Sequence, residues 1–534
     1  MGSSSDLRGR RSAAERQALA GVEREIRSQD HNGQRKYLRE FSQAYRSYES
    51  LLNSEQVHAA LLQADVVLIG DYHALPAAQR YAGSLIEQRA MAGGRPVVLG
   101  VETIFARDQH ILDEWWRRDI GEAELRQRVR FDLDWGYDWK PFYELLSAAR
   151  DHGHALYGLD CMPREDLRKI GARDRHAAIK IAEIRERHPS AVIFVLFGES
   201  HLAPGHLPIE IRKLMPEARV LTVLQNVDEL YWRAAGERAS RVDAVQVEDD
   251  VVCVFNSTPL EKYESYRLFL DQWSRADSDP DFAPTIYNLI DSLAGFLEID
   301  RYSPHNTTQP KFLVDMMPEV HGRASDAVLR RLLTRQNFGD REILTRLAQV
   351  EQRGSAYLPR VNAVYVREFQ MKHAAEDAAR FLHHACRGLP RRRESEETHR
   401  SASDEKSKSI PRRKERDKDG APSALFHQRV VEHAVATFGS RVLYPNQAVA
   451  KEEEAVSFAA YDRAAKAAGR YGAEKFDVLN EAWGTRLGSL LYEAYLRGRV
   501  SKSELRRLFL AHLDKAGAAR RVCAAIFART RKRT

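Results

Sequence analysis

Five short runs of aliphatic and β-branched residues most narrow what this chain can fold into: Val66 to Gly70, Val97 to Val101, Ala155 to Leu159, Ala191 to Phe197 and Val220 to Leu224. Each has the length of a strand and lacks polar alternation, so both faces of the strand must be covered. The connections between them are long enough for helical crossovers, as at Ala77 to Ala92 and Arg175 to His188. Strands alternating with helices predict an α/β fold with a mainly parallel sheet covered by helices. Val245 to Val247 and Val251 to Phe255, separated by Glu248-Asp249-Asp250, predict a terminal hairpin, and an amphipathic helix follows through Tyr263, Tyr266, Phe269 and Trp273.

This pattern occupies residues 53–275 of the 534. Residues 1–52 read as an N-terminal helical extension, 276–388 as a helical domain, 389–423 as a charged linker and 424–534 as a C-terminal helical domain. Arg391 to Ser423 is rich in Arg, Lys, Glu, Ser and Pro and nearly free of aliphatics, so it cannot bury enough apolar area to offset its ordering entropy, and disorder is expected there. A good part of the net charge of +7 sits in the same stretch. No nucleic-acid motif accompanies it, so nucleic acid is not an expected partner.

The four cysteines, Cys161, Cys253, Cys386 and Cys523, show no C-x-x-C spacing, which excludes a zinc ribbon and a disulfide framework and fits a reducing compartment. No apolar stretch approaches the roughly 18 residues of a membrane span. A cytoplasmic protein is expected, its partner a small ligand or metal ion, with the helical regions available for self-assembly or a protein partner.

Four of the strands run directly into a side chain that can bind a cation or move a proton: Gly70-Asp71-Tyr72-His73, Gly100-Val101-Glu102, Gly158-Leu159-Asp160 and Gly198-Glu199-Ser200-His201. In a parallel sheet these ends share one edge, where ligands bind. One Asp or His after a strand is an ordinary turn former or helix cap. Two G-x-x-H turns with a carboxylate ending each intervening strand point to a shared site. His73, Glu102, Asp160 and His201 form a donor set for Zn²⁺, Mn²⁺ or Fe²⁺, while His73, Glu102 and His201 could equally run metal-free acid/base chemistry. Arg173 offers a planar fork for an anionic ligand, or pairs with Glu102 or Asp160 to orient them.

The succession GDYH, GVET, WGYDWKPFY, Arg173-Asp174 and FGESHLAPGHLP resembles the ChaN-like family of the Tiki superfamily. That family is described as haem-binding and uptake-related, and its superfamily includes Tiki-type metalloproteases, TraB-like proteins and erythromycin esterases. The resemblance, over about two-fifths of the chain, implies a metal or haem-type ligand, or alternatively a metal-dependent or acid/base hydrolase. It carries His73, Glu102, Arg173 and His201 over to the superfamily's site positions. Tyr72 and Tyr137, near the expected mouth, and Ser200, beside His201, are further candidate cofactor contacts, and nothing in the sequence selects one tyrosine over the other. Asp71 departs from the commoner Glu after the first glycine, which puts an esterase-like use of that position in doubt.

A second group, His373, Glu376, Asp377 and His384, with His427, Glu432 and His433 beyond the linker, falls at helical spacing. Solvent-facing charged helix is the expected account of it.

Overall fold

The computed structural model describes residues 4–29, 36–162, 170–237, 241–274, 280–300, 313–322, 326–387, 420–447, 457–513, 515 and 517–530. The chain divides into two compact units, Leu19–Ser278 and Met1–Ala18 with Asp279–Thr534.

The first unit is built on eight strands: β1 (Ser50–Leu52), β2 (Val66–Asp71), β3 (Val97–Phe105), β4 (Ala155–Asp160), β5 (Val192–Gly198), β6 (Val220–Gln225), β7 (Ala244–Glu248) and β8 (Val251–Val254). Their order is β1-β7-β8-β6-β2-β5-β3-β4. Every neighbouring pair from β8 across to β4 is parallel, and only β7 runs antiparallel to its neighbours. Successive residues of β2 serve opposite layers. Val67 and Ile69 pack with Ile86, Phe142 and Leu146, whereas Val66 and Leu68 pack with Ile181, Leu207 and Leu230. Burial on both faces is why the run shows no polar alternation, and each such side chain contributes about 1.5–3 kcal/mol.

The chain makes β3 and β4 at one side of β2 and then returns to insert β5 between β2 and β3. The β2–β5 register pairs Asp71 with Gly198, so the two G-x-x-H turns leave adjacent strands at the same level. β3 continues past its expected end at Val101 to Phe105, with a register irregularity against β4 between those residues. Gly158 of β4 faces that irregularity. A Cβ there would meet the carbonyl oxygens of Phe105 and Ile104 at 2.7 and 2.8 Å, both of them backbone atoms. Gly158→Ala is therefore expected to lower stability by about 1–3 kcal/mol in denaturant unfolding, and an unchanged midpoint would show that β3 yields freely there.

In the second unit, the helices Ala283–Phe296, Met371–Arg387, Gly420–Leu443, Ala473–Leu496 and Ala518–Thr530 dominate. The helical reading of 276–388 omits a three-stranded sheet of Glu319–Gly322, Ser355–Leu358 and Ala363–Val366, whose four-residue strands are too short to impose a period on the sequence. Residues 389–419 of the expected linker lie outside the described residues, and the helix from Gly420 begins before the expected boundary at Ser423. Solvent exposure of the second charged group is corrected. Glu376 and Asp377 are buried, Arg353 pairs with Glu376 and Glu481, and Asp377 accepts from Ser355 and Arg380. A buried charge needs such partners. His427 is likewise buried, its Nδ1 2.5 Å from the Tyr461 hydroxyl. No helix among the described residues is long and apolar enough to cross a membrane.

Candidate functional site

Glu102 on β3 is the point on which the sequence-predicted residues converge. It is 3% exposed. Its Oε1 accepts from Arg173 Nη2 at 2.5 Å, and its Oε2 accepts from the Gly198 backbone N–H at 2.5 Å. His201 Nε2 lies 3.7 Å from Oε1 and His73 Nε2 lies 3.9 Å from Oε2. A Cβ on residue 198 would come within 3.0 Å of Glu102 Oε2 and 3.2 Å of the His73 ring. Close approach, rather than a sharp turn, is thus the reason for glycine in the second G-x-x-H, whose φ is an ordinary −50°.

Each imidazole has a carboxylate on its other nitrogen. Asp71 Oδ2 accepts from His73 Nδ1 at 2.8 Å, and Asp71 is held in turn by Gln79 on the following helix. Asp174 Oδ1 accepts from His201 Nδ1 at 2.5 Å. A carboxylate acceptor fixes the proton on Nδ1 and presents the Nε2 lone pair of each ring toward Glu102. The two rings differ in access. His73 has a side chain 23% exposed, packed 4.4 Å from the Trp135 ring and 5.3 Å from Tyr137. His201 is 4% exposed, walled by Phe197.

Asp174 serves a second imidazole, His206, at 2.9 Å, and the other nitrogen of His206 lies 3.2 Å from Glu40. Burial would raise the Asp174 carboxyl, but the bonds from His201 and His206 prevail and hold it below the usual range. The bond to Asp174 raises the His206 pKa above the ordinary imidazole value; burial opposes this and Glu40 reinforces it. A raised folded-state pKa means stability that is fully present below the unfolded value, near 6.5, and lost as pH rises through the folded value. The stability difference between wild type and His206→Gln should accordingly shrink between pH 6 and pH 9. A difference independent of pH over that range would contradict the charged pairing.

Arg173 fills the space that a metal reading needs. Its Nε donates to Asp160 Oδ1 at 2.8 Å and its Nη2 to Asp160 Oδ2 at 2.9 Å, while Nη1 lies 3.5 Å from His201 Nε2. Burial works to lower its pKa, yet the Glu102 and Asp160 charges raise it, so the guanidinium stays charged. Of its two expected roles, the structure contains the pairing one, with both carboxylates. Glu102, Asp160 and His201 therefore surround a fixed organic cation, and His73 lies beside Glu102. Among the described residues no three His, Cys, Asp or Glu side chains are arranged to hold a metal ion. The expected four-residue metal set does not fit this geometry.

A cleft of about 680 Å³ opens over His73 and Asp71 and is lined also by Tyr72, Tyr137, Glu199, Ser200 and Lys262. Of the aromatic segment, Trp135 and Trp139 belong to the core and Tyr137 faces the cleft, stacked on Phe269 at 4.3 Å. Burial holds the Tyr72 phenol well above its ordinary pKa, which makes it a poor anionic ligand. Sequence reasoning missed Lys262. It bonds both Glu199 oxygens at 3.1 Å and lies over the Tyr72 ring, 4.6 Å from its centroid. It also missed that the N-terminal extension, through Arg27, Phe41 and Tyr45, walls the cleft. Neither had a signal in local spacing, since both reach the site from distant elements.

The fold and site define an α/β protein with two carboxylate-oriented histidines meeting a buried glutamate at the carboxyl edge of a parallel sheet. Residues 57–180 match the family described as haem-binding uptake, Tiki superfamily, ChaN, and the matched stretch includes His73, Glu102, Asp160 and Arg173. His201 lies beyond the matched residues. No curated protein matches the chain. Among solved structures, ChaN of Campylobacter jejuni, described as binding haem cofacially, is 15% identical over 33% of this chain and 86% of its own, with a TM-score of 0.25. The type III effector HopBA1 is 14% identical over 40% of this chain and 97% of its own, with a TM-score of 0.28. Both scores are too low to carry a structural argument.

Proposed function

We propose that the Leu19–Ser278 unit is a hydrolase working by acid/base chemistry, the second of the two activities that the Tiki-superfamily resemblance implies. The observation that carries this reading is the Asp71–His73 pair opening on the cleft, with Nδ1 committed to Asp71 and the Nε2 lone pair placed beside Glu102. Such an imidazole can take a proton from a water attacking an ester or amide. Glu102, already bonded to Arg173 and Gly198, holds the negative charge that favours the imidazolium formed in that step.

A haem-type ligand is the second reading, favoured by the flat Tyr137–Phe269 wall beside His73. His73 would supply a nitrogen to hold the group, which would bring ligand-binding and redox chemistry when bound. One set of measurements separates the two. Turnover of a panel of carboxylic esters and small amides, unaffected by a chelator, supports hydrolysis. A Soret band on haemin addition that is lost in His73→Ala, without turnover of any substrate, supports binding instead and removes the hydrolase reading.

A further inference from the structure

Asp174 is 1% exposed, and its two oxygens serve two different imidazoles, Oδ1 that of His201 and Oδ2 that of His206. A carboxylate held by one donor keeps a soft, nearly two-fold terminal torsion, whereas two opposed donors remove that freedom. The outer nitrogen of His206 faces Glu40 on the helix Lys36–Ala44. Just past that helix the Tyr45 hydroxyl donates to the Leu202 carbonyl at 2.6 Å, one residue after His201. Two contacts thus tie the same N-terminal segment to the second G-x-x-H turn.

We infer that His206 is a positioning residue of this site: it clamps Asp174 from the side opposite His201 and, through Glu40, ties the helix Lys36–Ala44 to the histidine that faces Glu102. With carboxylates on both ring nitrogens, His206 donates from both. It fixes Asp174 as an acceptor for His201 Nδ1–H, and the His201 Nε2 lone pair then stays turned toward Glu102. The geometry of the clamp stands without any assumption about chemistry, and only its effect on turnover rests on the hydrolase reading.

The test is long-range ¹H–¹⁵N spectroscopy of the histidine rings in the full chain, which reports the His201 tautomer directly. Wild type should show His201 in the single Nδ1–H tautomer. His206→Ala should show a mixture with the Nε2–H form. His206→Asn, which keeps a donor near the Nδ1 position, should restore the wild-type pattern, and Glu40→Gln should give a detectable second tautomer. An unmixed Nδ1–H signature in His206→Ala at wild-type melting temperature overturns the proposal. Should that variant fail to fold, an unmixed signature in Glu40→Gln overturns it in the same way.

If esters or amides are turned over, His206→Ala should lower kcat on the order of tenfold with KM unchanged. A moved tautomer with no turnover by any form leaves the clamp standing and the hydrolase reading refuted. Reduced turnover with an unmoved tautomer does the reverse.

Discussion

Arg173→Met should destabilise the Leu19–Ser278 unit by about 3–5 kcal/mol, because it strands two buried carboxylates on either side of an apolar side chain. Arg173 is the shared donor to Glu102 and Asp160, and the three side chains are 6%, 4% and 0% exposed. Breaking such a pair costs more than the pair's net worth, since the charges left behind have lost solvent as well as partner. For a unit of this size the melting temperature should fall by about 10 °C. Arg173→Lys should recover only part of the loss, because one ammonium cannot make the bidentate contact to Asp160 and reach Glu102 together. Denaturant unfolding of the three proteins measures this directly. A loss below about 1 kcal/mol in Arg173→Met would mean that the two carboxylates find other donors, and that the site interior is less dependent on the guanidinium than its geometry indicates.

The largest effect on activity should come from His73→Ala. On whichever ester or amide the protein turns over, kcat should fall by about 10²–10⁴-fold, the usual contribution of a positioned general base. Stability should change little, because the ring is partly exposed at the cleft and is not a core support. Asp71→Asn should give a smaller loss in kcat, since it keeps the ring in place but no longer enforces Nδ1–H. His201→Ala offers the contrast. That ring is buried between Asp174, Phe197 and Glu102, so its removal should lower stability and activity together. Equal kcat for wild type and His73→Ala, with turnover well above background, would place the base elsewhere.

How much of this was legible in the sequence depends on the range of the interaction. Each apolar run is strand-length because it is buried on both faces, and that constraint is written residue by residue, as in Val66 to Ile69. The predicted strands and hairpin therefore match the observed ones to within a few residues, with β3 the longest departure. Placement of His73, Glu102, Asp160 and His201 on one edge follows from the same local rule, since each leaves or lies near the carboxyl end of a parallel strand. Arg173-Asp174 was visible as a motif, but not the division of labour in which the arginine takes two carboxylates and the aspartate two imidazoles.

What the sequence alone determined, then, is the strands β2 to β8, their mainly parallel arrangement and the identity of the polar residues at their ends; the short β1 inside the expected helical extension was not among them. Strand order decided the rest. Only the insertion of β5 beside β2 brings Gly198 against Glu102 and His73, and only the fold turns Arg173 inward to occupy the centre that four apparent metal ligands suggested. Access was decided the same way: of two histidines in matching motifs, one reaches the cleft and the other is buried. Lys262, Glu40 and His206 entered the site through contacts spanning 32 to 166 positions in sequence, where no spacing rule operates. Side-chain chemistry is local information, but which charges share a low-dielectric interior is set by the packing of distant elements, and that pairing chooses among the chemistries the residues permit.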